Sequence, residues 1–116
     1  MKTGSIVTVS SLAAKTGSPG EYIDYAGSKA AMDALTVGLA KEVGPAGIRV
    51  NAIRPAFIDT EIHSVSGNPQ RAHILDAQTP LGRAGTAEEV AETIIWLLSD
   101  ASSYVSGALI DMAGGR

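Results

Sequence analysis

The chain has 116 residues and a mass of 11.9 kDa, is 45% hydrophobic and 18% charged, and is long enough to bury a core without cross-links. That composition excludes disorder as the overall state, and a net charge of -3, nine Lys and Arg against twelve Asp and Glu, excludes the broad basic face that a nucleic-acid partner needs. Cysteine is absent, so disulfide frameworks, thiolate metal sites and cysteine nucleophiles are excluded together.

Ser5 to Ser10 opens the ordered pattern. It is short, rich in β-branched residues and apolar at Ile6, Val7 and Val9, as a strand buried on both faces of a parallel sheet would be. Gly17, Ser18, Pro19 and Gly20 then break residues 12 to 23 into a loop. From Asp24 to Val43 the pattern is helical: Ala31, Leu35, Leu39 and Val43 recur at four-residue steps, with Met32 and Ala40 beside them, and Gly44 and Pro45 stop the helix. Ile48 to Pro55 is a second strand, closed by a proline that cannot donate to the ladder.

Residues 56 to 83 have lower hydrophobic density and are broken by Gly67, Asn68 and Pro69. They suggest an insertion of the kind that often covers a site, with at most a short helix from Arg71 to Ala77. Thr86 and Glu89 have capping-box spacing, and Val90, Ala91, Ile94, Ile95, Leu97 and Leu98 supply the apolar face of the helix they open. Leu109 to Met112 is a last short strand after a turn at Gly107. Strands separated by crossover-length helices form a parallel α/β sheet. The first strand starts four residues from Met1, so the dinucleotide-gripping strand, glycine turn and helix have no room before it, and the expected unit is part of something larger. The longest apolar run, Ile94 to Leu98, is far below the roughly 18 residues of a membrane span, and no signal segment follows Met1. A cytoplasmic chain without membrane, metal or nucleic-acid partner is the expectation.

Tyr25 and Lys29 stand four apart on a helical pattern, so both side chains share a face. The pair sits at the start of the helix after the first strand, the side on which open α/β sheets bind ligands, and Ser10 and Ser11 end that strand on the same side. Alone, this spacing equally fits a solvated helix pair. A phenol used as an acid or base near neutrality needs its ionised form stabilised by roughly 4 kcal/mol, and a unit charge at about 4 Å in an effective dielectric near 20 supplies that amount. Ser11 would hold a carbonyl oxygen near the tyrosine by hydrogen bonding. Serine hydrolysis is disfavoured: the G-x-S-x-G elbow is absent, and His63 and His73 fall in the insertion.

SIVTVSSLAA, YAGSKAAMDALTVGLAKEVGPAGIRVNAIRPAFIDTEI, PLGRAGTAEEVAETIIWLLSD and YVSGALIDMAGG stand in an order and spacing that resemble the C-terminal half of the short-chain dehydrogenase/reductase family. The resemblance covers nearly the whole chain. It implies the C-terminal part of a Rossmann-like doubly wound parallel sheet, strands 5-6-7 with intervening helices, as a single partial domain over residues 1–116. In the family order 3-2-1-4-5-6-7 these strands are neighbours at one end, the two helices lie on opposite faces, and the first strand is left with an unpaired edge.

The same resemblance implies an oxidoreductase using NAD or NADP on a small-molecule alcohol or ketone. Tyr25 would be the general acid/base, Lys29 would stabilise the phenolate and bind the nicotinamide ribose, and Ser11 would orient the substrate oxygen. Pro55 to Thr60 matches the segment that passes the nicotinamide, with Pro55, Ala56, Ile58 and Thr60 as cofactor contacts; Ala56 stands where the family has glycine. The glycine-rich loop, the NAD/NADP-selecting residue and the catalytic asparagine belong to an N-terminal half that this reading expects to be absent. Partners are then a homo-oligomer or the N-terminal half. The alternative is an inactive split or truncated fragment that acts only by binding another subunit. Asn51, Trp96, Asp111 and the Gly114-Gly115 tail are read as structural, and Arg54, Arg71 and Arg83 as solvated or salt-bridged.

Overall fold

The computed structural model describes residues 3–59 and 78–116. Strand β1 (Gly4–Val9) leads through a single helical turn, α1 (Ala13–Thr16), into the long helix α2 (Ile23–Val43); β2 (Ile48–Pro55) follows. Two-residue strands β3 (Ile58–Asp59) and β4 (Gly85–Thr86) precede α3 (Ala87–Leu98), and β5 (Leu109–Met112) comes last. The α1 turn falls in the segment expected to be loop. Gly17, at a φ of 82°, closes it by donating its N–H to the Ala13 carbonyl.

The three main strands form a parallel sheet in the order β1-β2-β5. β2 is central, and Val50, Ala52 and Ile53 on it are fully buried, as is Asn51. The Asn51 side chain donates to the Val105 carbonyl and accepts from the Ala108 N–H, tying β2 to the turn at Gly107 before β5. That is the structural role its position implied. Among the described residues, β1 pairs on one side only, from Gly4 opposite Ile48 to Val9 opposite Ile53. The expectation of a strand buried on both faces is corrected: Ile6 and Val9 are exposed.

Successive strand residues face opposite sides of a sheet. Thr8 shares a 2.7 Å hydrogen bond with Thr36 of α2, whereas Ser5, three residues earlier, donates to the Leu97 carbonyl of α3 at 2.7 Å. The two helices therefore cover opposite faces, giving the three-layer α/β arrangement expected. On β2 the same alternation sends Arg54 to Asp33 of α2 and Arg49 to the Ser99 and Ser102 carbonyls after α3.

Two helix faces differ from the sequence pattern. The inward face of α2 carries Ala26, Asp33 and Thr36, while Ala31 and Leu35 point outward. Apolar residues surround this helix, so four-residue periodicity alone did not single out the face that the sheet covers. On α3, Leu97 is buried, but Ala91, Ile95 and Leu98 are exposed and Trp96 is half-exposed, so the stripe is narrower than its sequence suggests. The capping box forms as expected: the Thr86 hydroxyl accepts from the Glu89 N–H at 3.1 Å and the Thr86 N–H donates to the Glu89 carboxylate at 3.0 Å. Thr60, His63, Arg71, His73 and the short helix expected over Arg71 to Ala77 lie outside the described residues. Among the described residues, no helix is long and apolar enough to cross a membrane and no cluster of His, Cys, Asp or Glu could hold a metal ion.

Candidate functional site

The site is built where β1 and β2 end and α2 begins. Lys29 is fastened at two points around the end of β1: its ammonium donates to the Val9 carbonyl at 3.2 Å, and its own backbone carbonyl accepts from the hydroxyl of buried Ser10, just after the strand, at 3.2 Å. One turn earlier on the helix, the Tyr25 ring centre lies 5.7 Å from the same ammonium, within cation–π range. Tyr25 is 46% exposed, so the phenol is open to solvent. The helical spacing thus brings the pair together, and the Val9 carbonyl, which sequence could not reveal, fixes the cation.

Ser10 and Ser11 have different environments. Ser10 is buried, and its hydroxyl is engaged by α2. Ser11 is half-buried; its hydroxyl accepts from the Ala13 N–H at 3.2 Å, which leaves its own proton available to a ligand oxygen. It lines a cleft of about 430 Å³ with Thr16, Glu21, Ala56, Gln78 and Arg116 among others. Tyr25 and Lys29 are not among the residues that line this cleft.

Pro55 and Ala56 pass beside this strand end. The Pro55 carbonyl accepts from the Leu12 N–H at 3.0 Å, and the Ala56 N–H donates to the Met112 carbonyl at 3.0 Å, so the segment is held between the loop after β1 and the end of β5. Ile58 lies apart from Ser11, in a second cleft of about 360 Å³ that it shares with Arg83, Glu89 and Asp111. Ser11 and Ala56 are therefore brought together on one cleft, Tyr25 and Lys29 meet on the helix above it in sequence, and Ile58 serves a neighbouring space.

A charged network lies behind this site. Arg54 donates through Nε to Asp111 at 2.6 Å and through a terminal nitrogen to Asp33 at 3.4 Å, and Lys15 meets the other Asp111 oxygen at 2.9 Å. Burial alone would raise the Asp111 carboxyl, but the hydrogen bonds and charges of Arg54 and Lys15 outweigh it and hold the group below its ordinary value. The hydrogen bond to Asp111 in turn raises Arg54. The other oxygen of Asp33 is buried without a hydrogen-bond partner among the described residues. The network joins α1, α2, β2 and β5, all of which border the site. Sequence reasoning anticipated a salt-bridged Arg54 but read Asp111 as a residue of fold and subunit packing and did not single out Asp33. Their one legible sign was a carboxylate at each of two otherwise apolar stretches.

The whole chain, residues 1–116, matches a family model described as Enoyl-(Acyl carrier protein) reductase. The chain is 57% identical over 113 residues to the Uncharacterized oxidoreductase YgfF of Escherichia coli strain K12, an alignment covering 97% of this chain and 46% of that protein. Identity is 45% over 114 residues to the 3-oxoacyl-[acyl-carrier-protein] reductase FabG of Thermotoga maritima, covering 98% of this chain and 46% of the relative. Among solved structures, a 3-oxoacyl-[acyl-carrier protein] reductase from Brucella melitensis superposes with a TM-score of 0.89 at 42% identity, over 97% of this chain and 41% of that one. A Brucella melitensis reductase of the same name, with bound NAD, gives a TM-score of 0.85 at 42% identity, over 97% and 40% of the two chains. The chain spans about half the length of the curated relatives it matches.

Proposed function

The chain belongs to the short-chain dehydrogenase/reductase family, an oxidoreductase family, and from that membership we propose that it carries the proton-transfer half of an NAD(P)-dependent reaction between an alcohol and its carbonyl compound. The observation that carries this reading is the Lys29 ammonium, held by the Val9 carbonyl beside the ring of an exposed Tyr25 at the strand end where Ser11 opens onto a cleft. A nicotinamide cofactor supplies the hydride chemistry when bound. The residues present fit such a group: Lys29 spends one of its three donors on Val9, leaving others for ribose hydroxyls, and Pro55 and Ala56 hold a backbone edge beside the same strand end. Thr60 completes this set in the proposal.

Tyr25 gives its proton to the substrate oxygen as a carbonyl is reduced and takes it back in the reverse direction. Lys29 attracts the phenolate that remains, and it does so from a fixed position because its ammonium is tied to β1. Ser11 donates to the same substrate oxygen and holds it within reach of the phenol. The substrate is a small alcohol or ketone in the cytoplasm, and the working assembly is a homo-oligomer or a union with the further length that the relatives possess.

A second reading is favoured by β1, which among the described residues pairs on one side only and has Ile6 and Val9 exposed. On this reading the 116-residue chain is a non-catalytic module that binds another subunit through that edge. Titrating the chain with NADH and NADPH while following nicotinamide fluorescence separates the two. Saturable enhancement supports the enzyme reading, and a flat titration removes an autonomous enzyme and favours the binding module.

A further inference from the structure

Four arginines lie among the described residues, and three have their guanidinium groups committed. Arg49 donates to the carbonyls of Ser99 and Ser102, Arg54 to Asp111 and Asp33, and Arg83 to both oxygens of Glu89. Arg116 differs. Its guanidinium stacks 4.4 Å from the centre of the Phe57 ring and, among the described residues, makes no ion pair or side-chain hydrogen bond. Stacking on an aromatic face fixes a guanidinium plane while leaving its edge donors open, the arrangement that receives a carboxylate or phosphate in bidentate fashion. Its backbone is anchored as well, the Arg116 N–H donating to the Ala113 carbonyl at 3.2 Å.

This open cation lines the same cleft of about 430 Å³ as Ser11, Ala56 and Gln78. We propose that Arg116 is a specificity residue that selects an anionic substrate, an oxo or hydroxy compound carrying a carboxylate or phosphate, whose oxygen to be reduced or oxidised lies at the Ser11 end of the cleft. The proposal rests on the oxidoreductase reading for its assignment of Ser11. Ser11 and Gln78 contribute neutral polar groups to the cleft, and Arg116 contributes the charge. Glu21 also lines the cleft, on the turn after Pro19, and its carboxylate opposes an anion. The two charges therefore predict opposite effects on the same ligand, which a merely structural role for Arg116 would not produce.

The test is a titration of the chain followed by NMR at the Arg116 Nε–H and the Ser11 and Ala56 amides. Acetoacetate and dihydroxyacetone phosphate probe the carboxylate and phosphate forms, and methyl acetoacetate serves as the neutral control. At least one anion should bind about tenfold more tightly than the ester with a saturable shift at Arg116, and which one does so identifies the anionic group. Arg116→Gln should erase that preference while leaving the ester unchanged, and Glu21→Gln should tighten the anion several-fold. Equal affinity for anions and ester, a preference that survives Arg116→Gln, or no saturable shift with either anion overturns the proposal. Nicotinamide fluorescence on the same samples reads the parent assignment independently. Cofactor binding without anion preference defeats the anion site alone, and anion preference without cofactor binding supports the site while removing an autonomous enzyme.

Discussion

Arg54 Nε donates to Asp111 across adjacent strands at 2.6 Å, and the two residues are directly opposite in the β2–β5 register. The guanidinium also reaches Asp33 on α2, so one mostly buried cation holds a helix and two strands at the edge of the proposed site. Removing one partner from such a network leaves the others desolvated and unpaired, which costs more than the net contribution of the pair.

Arg54→Met keeps much of the side-chain volume and deletes the charge, stranding Asp33 and leaving Asp111 with Lys15 alone. It should lower stability by about 2 to 3 kcal/mol near neutral pH in urea unfolding, below the fully buried case because Asp111 is partly open to solvent. The pH dependence has a definite sign. The Asp111 carboxyl lies below its ordinary 3.8 in the folded chain, so its contribution is fully present above that value and disappears as pH falls through the folded one. The difference between the parent chain and Arg54→Met should therefore shrink as the pH falls below the ordinary carboxyl value of 3.8. A constant difference from neutral to acid pH would show that lost packing, not lost charge pairing, is the cause.

Glu89 gives a second acid signature. Hydrogen bonding from Arg83, then from the Thr86 backbone, lowers its carboxyl from 4.5 to about 2. A depressed carboxyl contributes stability above its unfolded value and loses that contribution as pH falls from about 4.5 toward 2. Carbon NMR of the Glu89 carboxyl should titrate near the lower value in the parent chain. Arg83→Ala should move the midpoint most of the way back while leaving it depressed, because the Thr86 N–H still donates to the same group. An unmoved midpoint would transfer the effect to the helix cap alone.

Strand β2 and the α3 cap were legible because local chemistry decides them. Ile48 to Pro55 is bounded by Gly47 and ended by a proline, and Thr86 with Glu89 satisfies two helix-terminal donors within four residues. The α2 face was not legible: Asp33 and Thr36 turn inward because their partners Arg54 and Thr8 stand on different strands, a relation that no local pattern contains. The pairing of β3 with β4 joins residues 58–59 to 85–86 and has no local signature either. At the site, the Tyr25 and Lys29 spacing was readable as a shared helix face, whereas the Val9 carbonyl that fixes the lysine depends on where β1 ends.

That dependence gives Tyr25 and Lys29 separable signatures. When the chain is joined to the additional length that its relatives possess, Tyr25→Phe removes only the hydroxyl that moves a proton. Turnover should fall by about 10² to 10⁴, the range for losing a positioned acid or base, with cofactor affinity unchanged. Lys29→Ala deletes a charge beside the phenol, the donors offered to the ribose and the bond to Val9, so turnover and cofactor affinity should fall together. Steady-state kinetics paired with nicotinamide fluorescence distinguishes these patterns. Full turnover in Tyr25→Phe would defeat the proton-transfer role. Unchanged cofactor affinity in Lys29→Ala would confine the lysine to the phenol, because a ribose contact cannot be lost without weakening the bound cofactor.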